Sequence, residues 1–325
     1  MSNSVQFLVS DLLSDDQILR EIDHWAKVMN RPQGWHYDLD VIWILRELEK
    51  AGIKKGDTVL DAGAGMGVMQ FVLAARGYNV ISLDFSNRVL PKLAEGIFNM
   101  EVLSEGSLDY VHDYMGFVDY GTGSGSGEAV TKQTQRSFGA KLLDIIKKGP
   151  IFGFTLLKNN IRTRRNKRYN DSEKSRDHSG FGKISFIRAA FHQIPLADKS
   201  VDAVISVSAI EHADKQLMEL NLSELKRIVK DGKILLISTS ATNKKEDIFH
   251  DKTRGWCFSK ESLRQMASLN DLPEFGYEEA EKNILASKKW LSRIDTYYTG
   301  DPESDFYKRQ PTYLAYLPVG IKLIK

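Results

Sequence analysis

The chain of 325 residues has little of what would settle a protein's class at once. Cys257 is its single cysteine, which excludes an intrachain disulfide and a thiolate-clustered metal site and suits a reducing compartment. No apolar run reaches the ~18 residues expected of a membrane-spanning helix. Cations and anions nearly cancel, 45 against 43 for a formal charge of +2, so the chain as a whole exerts no pull toward nucleic acid. The seven histidines show no close ligand spacing such as H-E-x-x-H, and no metal is expected. The opening MSNSVQFLVSDLLSDD lacks a basic stretch ahead of a long apolar core, so no secretory signal is expected and the reading is a cytoplasmic protein. With 42% hydrophobic and 27% charged residues, the composition is that of an ordinary globular chain long enough to bury a core.

What is present is organised around Asp57 to Ser86, DTVLDAGAGMGVMQFVLAARGYNVISLDFS. Thr58-Val59-Leu60 is the apolar run of a buried parallel strand, and it stops at Asp61 before Gly63, Gly65 and Gly67. Met69, Phe71, Val72, Leu73 and Ala75 then give a helical apolar face that Gly77 closes, and Asn79 to Leu83 forms a second strand ending at Asp84. The unit is β-α-β with an acid at each strand tip. Glycines let a ligand lie against bare main chain, and a carboxylate at the second tip can accept both hydroxyls of a ribose, so an adenosine-type cofactor is expected. Val68 stands where the dinucleotide fingerprint has its third glycine. Asp61 would repel a pyrophosphate and attract an ammonium, which favours a cationic cofactor over a dinucleotide.

VLDAGAGMG followed by VISLDFS resembles the glycine motif and the next acidic motif of class I S-adenosylmethionine-dependent methyltransferases. Ile194-Pro195-Leu196-Ala197-Asp198-Lys199-Ser200-Val201-Asp202-Ala203-Val204 resembles the loop and fourth strand of the same family, usually L-P-F-x-D-x-S-F-D-x-V. The resemblance covers residues 57–99 and 184–270. It implies an α/β, doubly wound, Rossmann-like fold with a mostly parallel seven-stranded sheet and an antiparallel closing strand, expected at Leu314 to Ile324. It implies S-adenosyl-L-methionine as cofactor, held by Asp61, Gly63, Ala64, Gly65, Gly67, Asp84 and Phe85. Ala190 departs from the pattern, since many relatives place there an acid for the adenine amino group; Phe191 or His192 would substitute.

Three domains are expected: an N-terminal helical lid at 1–52, the methyltransferase domain at 53–99 and 184–325, and an insertion at 100–183 that lids the substrate. Trp35, His36 and Tyr37 precede a helix and are read either as cofactor or substrate contacts or as residues pinning that helix to the core. Arg88 to Phe98 and residues 215–230 read as helices, and Ile184 to Ala189 and Lys233 to Ser238 as strands. The insertion holds a GTGSGSG run at Gly121 to Gly127, an amphipathic stretch from Phe138 to Ile146, and a basic cluster with Arg162, Arg164, Arg165, Lys167 and Arg168. The cluster is either a site for an anionic substrate, through Arg162 and Arg165, or a solvated loop.

Ligands bind at the carboxyl ends of the strands in open α/β sheets, so Glu211 and His212, after the fourth strand, are expected to face the reaction. His212, His36 and His192, in that order, are the candidate bases, with Glu211 a substrate contact. The expected reaction is in-line methyl transfer to oxygen of a small-molecule or glycan acceptor, anionic acceptors included, by a protein that forms a homodimer and does not bind nucleic acid. The alternatives are a non-catalytic cofactor-binding regulatory protein, or a peripheral lipid or nucleic-acid methyltransferase working through the basic insertion.

Overall fold

The computed structural model describes residues 2–31, 36–86, 91–105, 166–251, 253–272, 275–291 and 314–325. Its centre is a ten-stranded sheet whose main path runs β1-β10-β7-β6-β2-β3-β5-β4. The strands are β1 (Ser4–Phe7), β2 (Thr58–Ala62), β3 (Asn79–Asp84), β4 (Met100–Glu105), β5 (Ile184–Arg188), β6 (Val201–Val207), β7 (Val229–Ala241), β8 (Ile248–His250), β9 (Gly255–Phe258) and β10 (Leu317–Ile324). From β4 to β7 every neighbouring pair is parallel, as sheets buried on both faces require. β10 closes the sheet antiparallel to β7, with Leu317 opposite Ala241 and Ile324 opposite Ile234.

The six strands read from the sequence are present, and four further ones correct the expected seven. β4 lies outside β5, β1 lies outside β10, and β8 and β9 pair with each other, β9 also running beside the last two residues of β7. Before the insertion, residues 92–97 are turns rather than the expected regular helix, and the chain then enters β4.

Two helices precede β2. Helix α1 (Asp16–Val28) is capped by Asp15, whose carboxylate accepts the Ile18 amide at 3.1 Å. Helix α2 (Tyr37–Lys50) is buried nearly all round: Leu39, Val41, Ile42, Ile44 and Leu48 are wholly covered, and a Cβ on Gly320 of β10 would sit 2.6 Å from the Trp43 ring. The first fifty residues are therefore not a separate helical lid; they supply an edge strand and a core helix of the sheet domain.

Helix α3 (Met69–Ala75) connects β2 to β3. The helical run 166–174, where the chain returns from the insertion, is fastened by its inner face: the Asn170 side-chain amide donates to the Val28 and Leu93 carbonyls at 3.2 and 2.6 Å, and Glu173 takes His24 at 3.1 Å. Lys167 and Arg168 lie on the exposed face of that run. The expected helix at 138–146 and the rest of the basic cluster, with Arg162 and Arg165, lie outside the described residues.

Candidate active site at the carboxyl edge of the sheet

The glycine turn forms where β2 ends against β3. The amides of Gly63 and Ala64 both donate to the Leu83 carbonyl, at 2.8 and 3.0 Å, the Gly67 amide donates to the Ala64 carbonyl at 2.9 Å, and the Gly65 amide donates to Asp84 Oδ2 at 2.7 Å. Four amides of the loop are thus engaged within the protein. A phosphate would need such donors turned outward; a cofactor without phosphate does not.

Gly63 has φ +77, and a Cβ there would run into Ala209 and lie 2.9 Å from the Phe191 ring. Both its backbone and its surroundings require glycine. A Cβ on Gly67 would meet the Tyr37 hydroxyl, which places Tyr37, the first residue of α2, directly on the loop.

Asp84 Oδ1 also accepts the Ser86 amide at 2.8 Å and the Ser86 hydroxyl at 2.5 Å. With three bonds, the carboxylate retains about one of its roughly four acceptor directions. Phe85 follows it, its carbonyl taking Arg188 Nε at 3.2 Å. A narrow depression lined by Arg31, Gly65, Met66, Gln70, Pro91 and Phe186 opens beside Gly65. Asp61 is buried at the end of β2, within electrostatic reach of Tyr37, whose hydroxyl is held well above its ordinary range by burial and by Asp61, Asp40 and Glu211. Bare backbone beside an acid-tipped strand, with four of the loop amides turned to the protein, fits an adenosine with a cationic tail. Asp84 would hold the ribose, and Asp61 the tail. The Phe191 ring packs beside Gly63, and His192 lies half-buried in the same turn.

The histidines occupy different surroundings. His212 Nδ1 lies 3.1 Å from the Arg254 carbonyl; a carbonyl only accepts, so Nδ1 carries the hydrogen and the neutral ring keeps its lone pair on Nε2. His36 sits at the N-terminus of α2 with Nδ1 2.6 Å from Asp40 Oδ2. Burial disfavours the charged ring most strongly, yet the Asp40 charge and hydrogen bond, with Glu211, outweigh it and raise the His36 pKa above the usual 6.5. Ser208, at the tip of β6, donates its hydroxyl to the same Asp40 oxygen at 3.2 Å.

Glu211 is buried beside Gly255, accepts the Thr239 hydroxyl at 3.1 Å, and is pushed above the usual 4.5 chiefly by burial. Asp40 and Ser208 are the residues that sequence reasoning missed. The spacing of His36 and Asp40, one helical turn apart, was the available signal. Trp35 lies outside the described residues.

Residues 118–237 match the model of a family described as Methyltransferase domain. The matched stretch includes Ile194 to Val207, on which the resemblance also rests. It opens at Val118-Asp119-Tyr120-Gly121-Thr122-Gly123, a second acid-and-glycine pattern that lies outside the described residues; the glycine turn between β2 and α3 precedes it. No curated protein sequence matches the chain.

Similar solved structures include a phosphoethanolamine N-methyltransferase of Haemonchus contortus in complex with phosphomonomethylethanolamine and S-adenosylhomocysteine (13% identity, 97% of this chain and 59% of that one, TM-score 0.44). A methyltransferase in complex with the Trm112 activator of Haloferax volcanii (15%, 94% and 96%, 0.41) is another, as is a SAM-dependent methyltransferase from Aquifex aeolicus (14%, 69% and 76%, 0.34). Over residues 118–237 the chain thus matches a methyltransferase domain, and its mostly parallel sheet with an acid-tipped glycine turn is consistent with the class I, S-adenosyl-L-methionine-dependent kind.

Proposed function

We propose that the protein transfers a methyl group to an oxygen of a small-molecule or glycan acceptor. The cofactor, when bound, supplies a methyl on a sulfonium, whose carbon–sulfur bond breaks toward the thioether as the bond to the acceptor forms. The chain's part is placement and proton removal. Holding an acceptor in line can supply roughly 7–11 kcal/mol of the barrier, and an alcohol must also lose its proton, which a neutral imidazole accepts near pH 7. The observation that carries this reading is the pair of histidines, His36 at the start of α2 and His212 after β6, each with Nδ1 tied back to an acceptor on the protein.

Calorimetric titration with S-adenosylmethionine and S-adenosylhomocysteine, in the protein and in Asp84→Ala, tests the cofactor site. A panel of hydroxyl, amine and carboxylate acceptors, read by product mass, tests the transfer. Methylation confined to amines would overturn the choice of oxygen, and undiminished binding by Asp84→Ala would overturn the ribose contact. Anionic acceptors belong in the panel because of Arg162 and Arg165. Sedimentation velocity tests the homodimer.

A further inference from the structure

The geometry points to a second binding site, for a small organic anion with a carboxylate or phosphate-ester head and a short hydrocarbon part, at the edge of the sheet opposite the glycine turn. A cavity of about 160 Å³ lies there, bounded by the polar side chains of Asn3, Lys226, Ser268 and Lys325. A water molecule needs only about 10–15 Å³ of such space, so the cavity takes a molecule of several heavy atoms. Val229, in its wall, pairs with Val201, the first residue of β6, which puts the cavity where the parallel strands begin.

Lys226, in helix α4 (Met218–Ile228), gives the cavity its character. Its Nζ donates to the Ser268 hydroxyl at 3.0 Å, one bond for three N–H groups. Half-buried, it has its pKa pushed below the usual 10.5 by burial, with no acid acting the other way. The cations beside it are met differently: Arg227 pairs with Asp198 at 2.6 Å and Glu224 at 2.8 Å, and Lys230 with Asp202 at 2.7 Å. A half-buried ammonium without a counter-charge is unfavourable, and an oxyanion in the cavity would meet it.

The rest of the rim adds donors and positive charge, and its lining holds no Asp or Glu. An ammonium only donates, so Ser268 Oγ accepts from Lys226 and keeps its own hydrogen to give. Ser268 follows helix α5 (Lys260–Met266) at φ +51, a helix end where glycine is usual. Serine is strained there, yet it supplies a hydroxyl that glycine lacks. Lys325 Nζ is engaged by the Arg227 and Val229 carbonyls at 3.0 and 2.7 Å, so it contributes charge more than bonds. Asp231, 3.8 Å from Lys325, is itself held by Lys199 at 2.5 Å.

Asn3 fixes the walls: its Nδ2 donates to the Ala267 carbonyl at 3.0 Å and its Oδ1 accepts the Ile324 amide at 2.9 Å. Lysines act as point charges and do not demand the planar fork that arginine matches, which admits either oxyanion head. Val229, Leu323 and Ile324 supply the apolar side, which favours an anion carrying hydrocarbon over a bare one. Once bound, it would tie α4 to the end of α5 and to β10.

The test uses the full chain with 13C-labelled lysine side chains, followed by NMR at fixed pH and ionic strength. Sodium acetate, sodium butyrate and butyl phosphate are the probes, sodium chloride is the reference, and Lys226→Met assigns the resonance. The Lys226 signal should shift saturably with butyrate and butyl phosphate, with Kd about 1 mM; the tighter of the two identifies the head group. Butyrate should bind about 10-fold more tightly than acetate, from two further CH2 groups leaving water. Lys226→Met should weaken butyrate about 10-fold or more, and Lys226→Arg should retain part of the affinity. At ten times its Kd, butyrate should favour the folded state about 11-fold in urea unfolding, an effect absent from Lys226→Met.

If Lys226→Met does not fold, Ser268→Gly carries the test, since glycine accepts the left-handed backbone and removes the hydroxyl; butyrate should then bind about 3-fold more weakly or worse. A shift that rises without saturation to about 100 mM, equal shifts with chloride, or undiminished binding in every variant that folds would overturn the site. Equal affinity for acetate and butyrate would overturn its apolar half. None of these readouts involves methyl transfer, so the site stands or falls apart from the reading above.

Discussion

Asp84 and Asp40 are both buried carboxylates at the carboxyl edge of one sheet, and the protein meets them in opposite ways. Asp84 is met by two backbone amides and a hydroxyl, none of which titrates in the working range. Asp40 is met by an imidazole and a hydroxyl, with one oxygen bare. The tip of β3 is thereby held by partners that do not titrate, whereas His36 at the start of α2 does. A group such as His36, raised above 6.5 in the fold, adds stability that is complete below that value and is lost as pH climbs through its folded value. One region suits recognition of a cofactor that never changes; the other suits moving a proton.

The sharpest way to break this contrast is Gly63→Ala. It puts a side chain into a left-handed position and against Ala209 and Phe191, and should cost about 3 kcal/mol or more, read from urea unfolding. Tolerance of alanine there would show that the supposedly fixed region yields.

Asp84→Asn comes next. Loss of the charge facing the Gly65 and Ser86 amides and a ribose should weaken S-adenosylhomocysteine binding about 10- to 100-fold by calorimetry. The effect should not vary between pH 6 and 9.

Glu211→Gln should sharpen the other side. A carboxyl whose folded value lies above its unfolded 4.5 is least harmful below that pH and increasingly unfavourable as pH rises through the folded value. The glutamine variant should therefore be more stable by about 1 kcal/mol at pH 8 and no more stable at pH 4.5. Equal effects at both pH values would contradict a buried acid whose folded value is raised.

The smallest effect belongs to the exposed face of the 166–174 run. Lys167→Ala and Arg168→Ala should each change stability by less than about 0.5 kcal/mol.

Legibility in the sequence followed the same division. The turn at Gly63 to Gly67 could be read because its geometry demands particular residues at particular places, as did the apolar runs of β2, β3, β5, β6, β7 and β10. Ser4–Phe7 and Met100–Glu105 could not, since they become strands only by pairing with β10 and β5, far away along the chain. Asp40 was hidden for a different reason: an acid in a helix ordinarily reads as solvated, and only the packing of α2 into the sheet shows it wholly covered. The burial of Glu211 was not legible either, since its neighbour Gly255 comes from a strand, β9, that the sequence did not announce.

β4 is the outermost described strand on its side and runs parallel to β5, so the chain departs at Glu105 from the same edge that carries Asp84, and rejoins described structure at Asn166. A segment attached at a border rather than between central strands can be exchanged or lengthened without rewriting the pairings that form the sheet, and longer closures add only slowly to the entropic penalty.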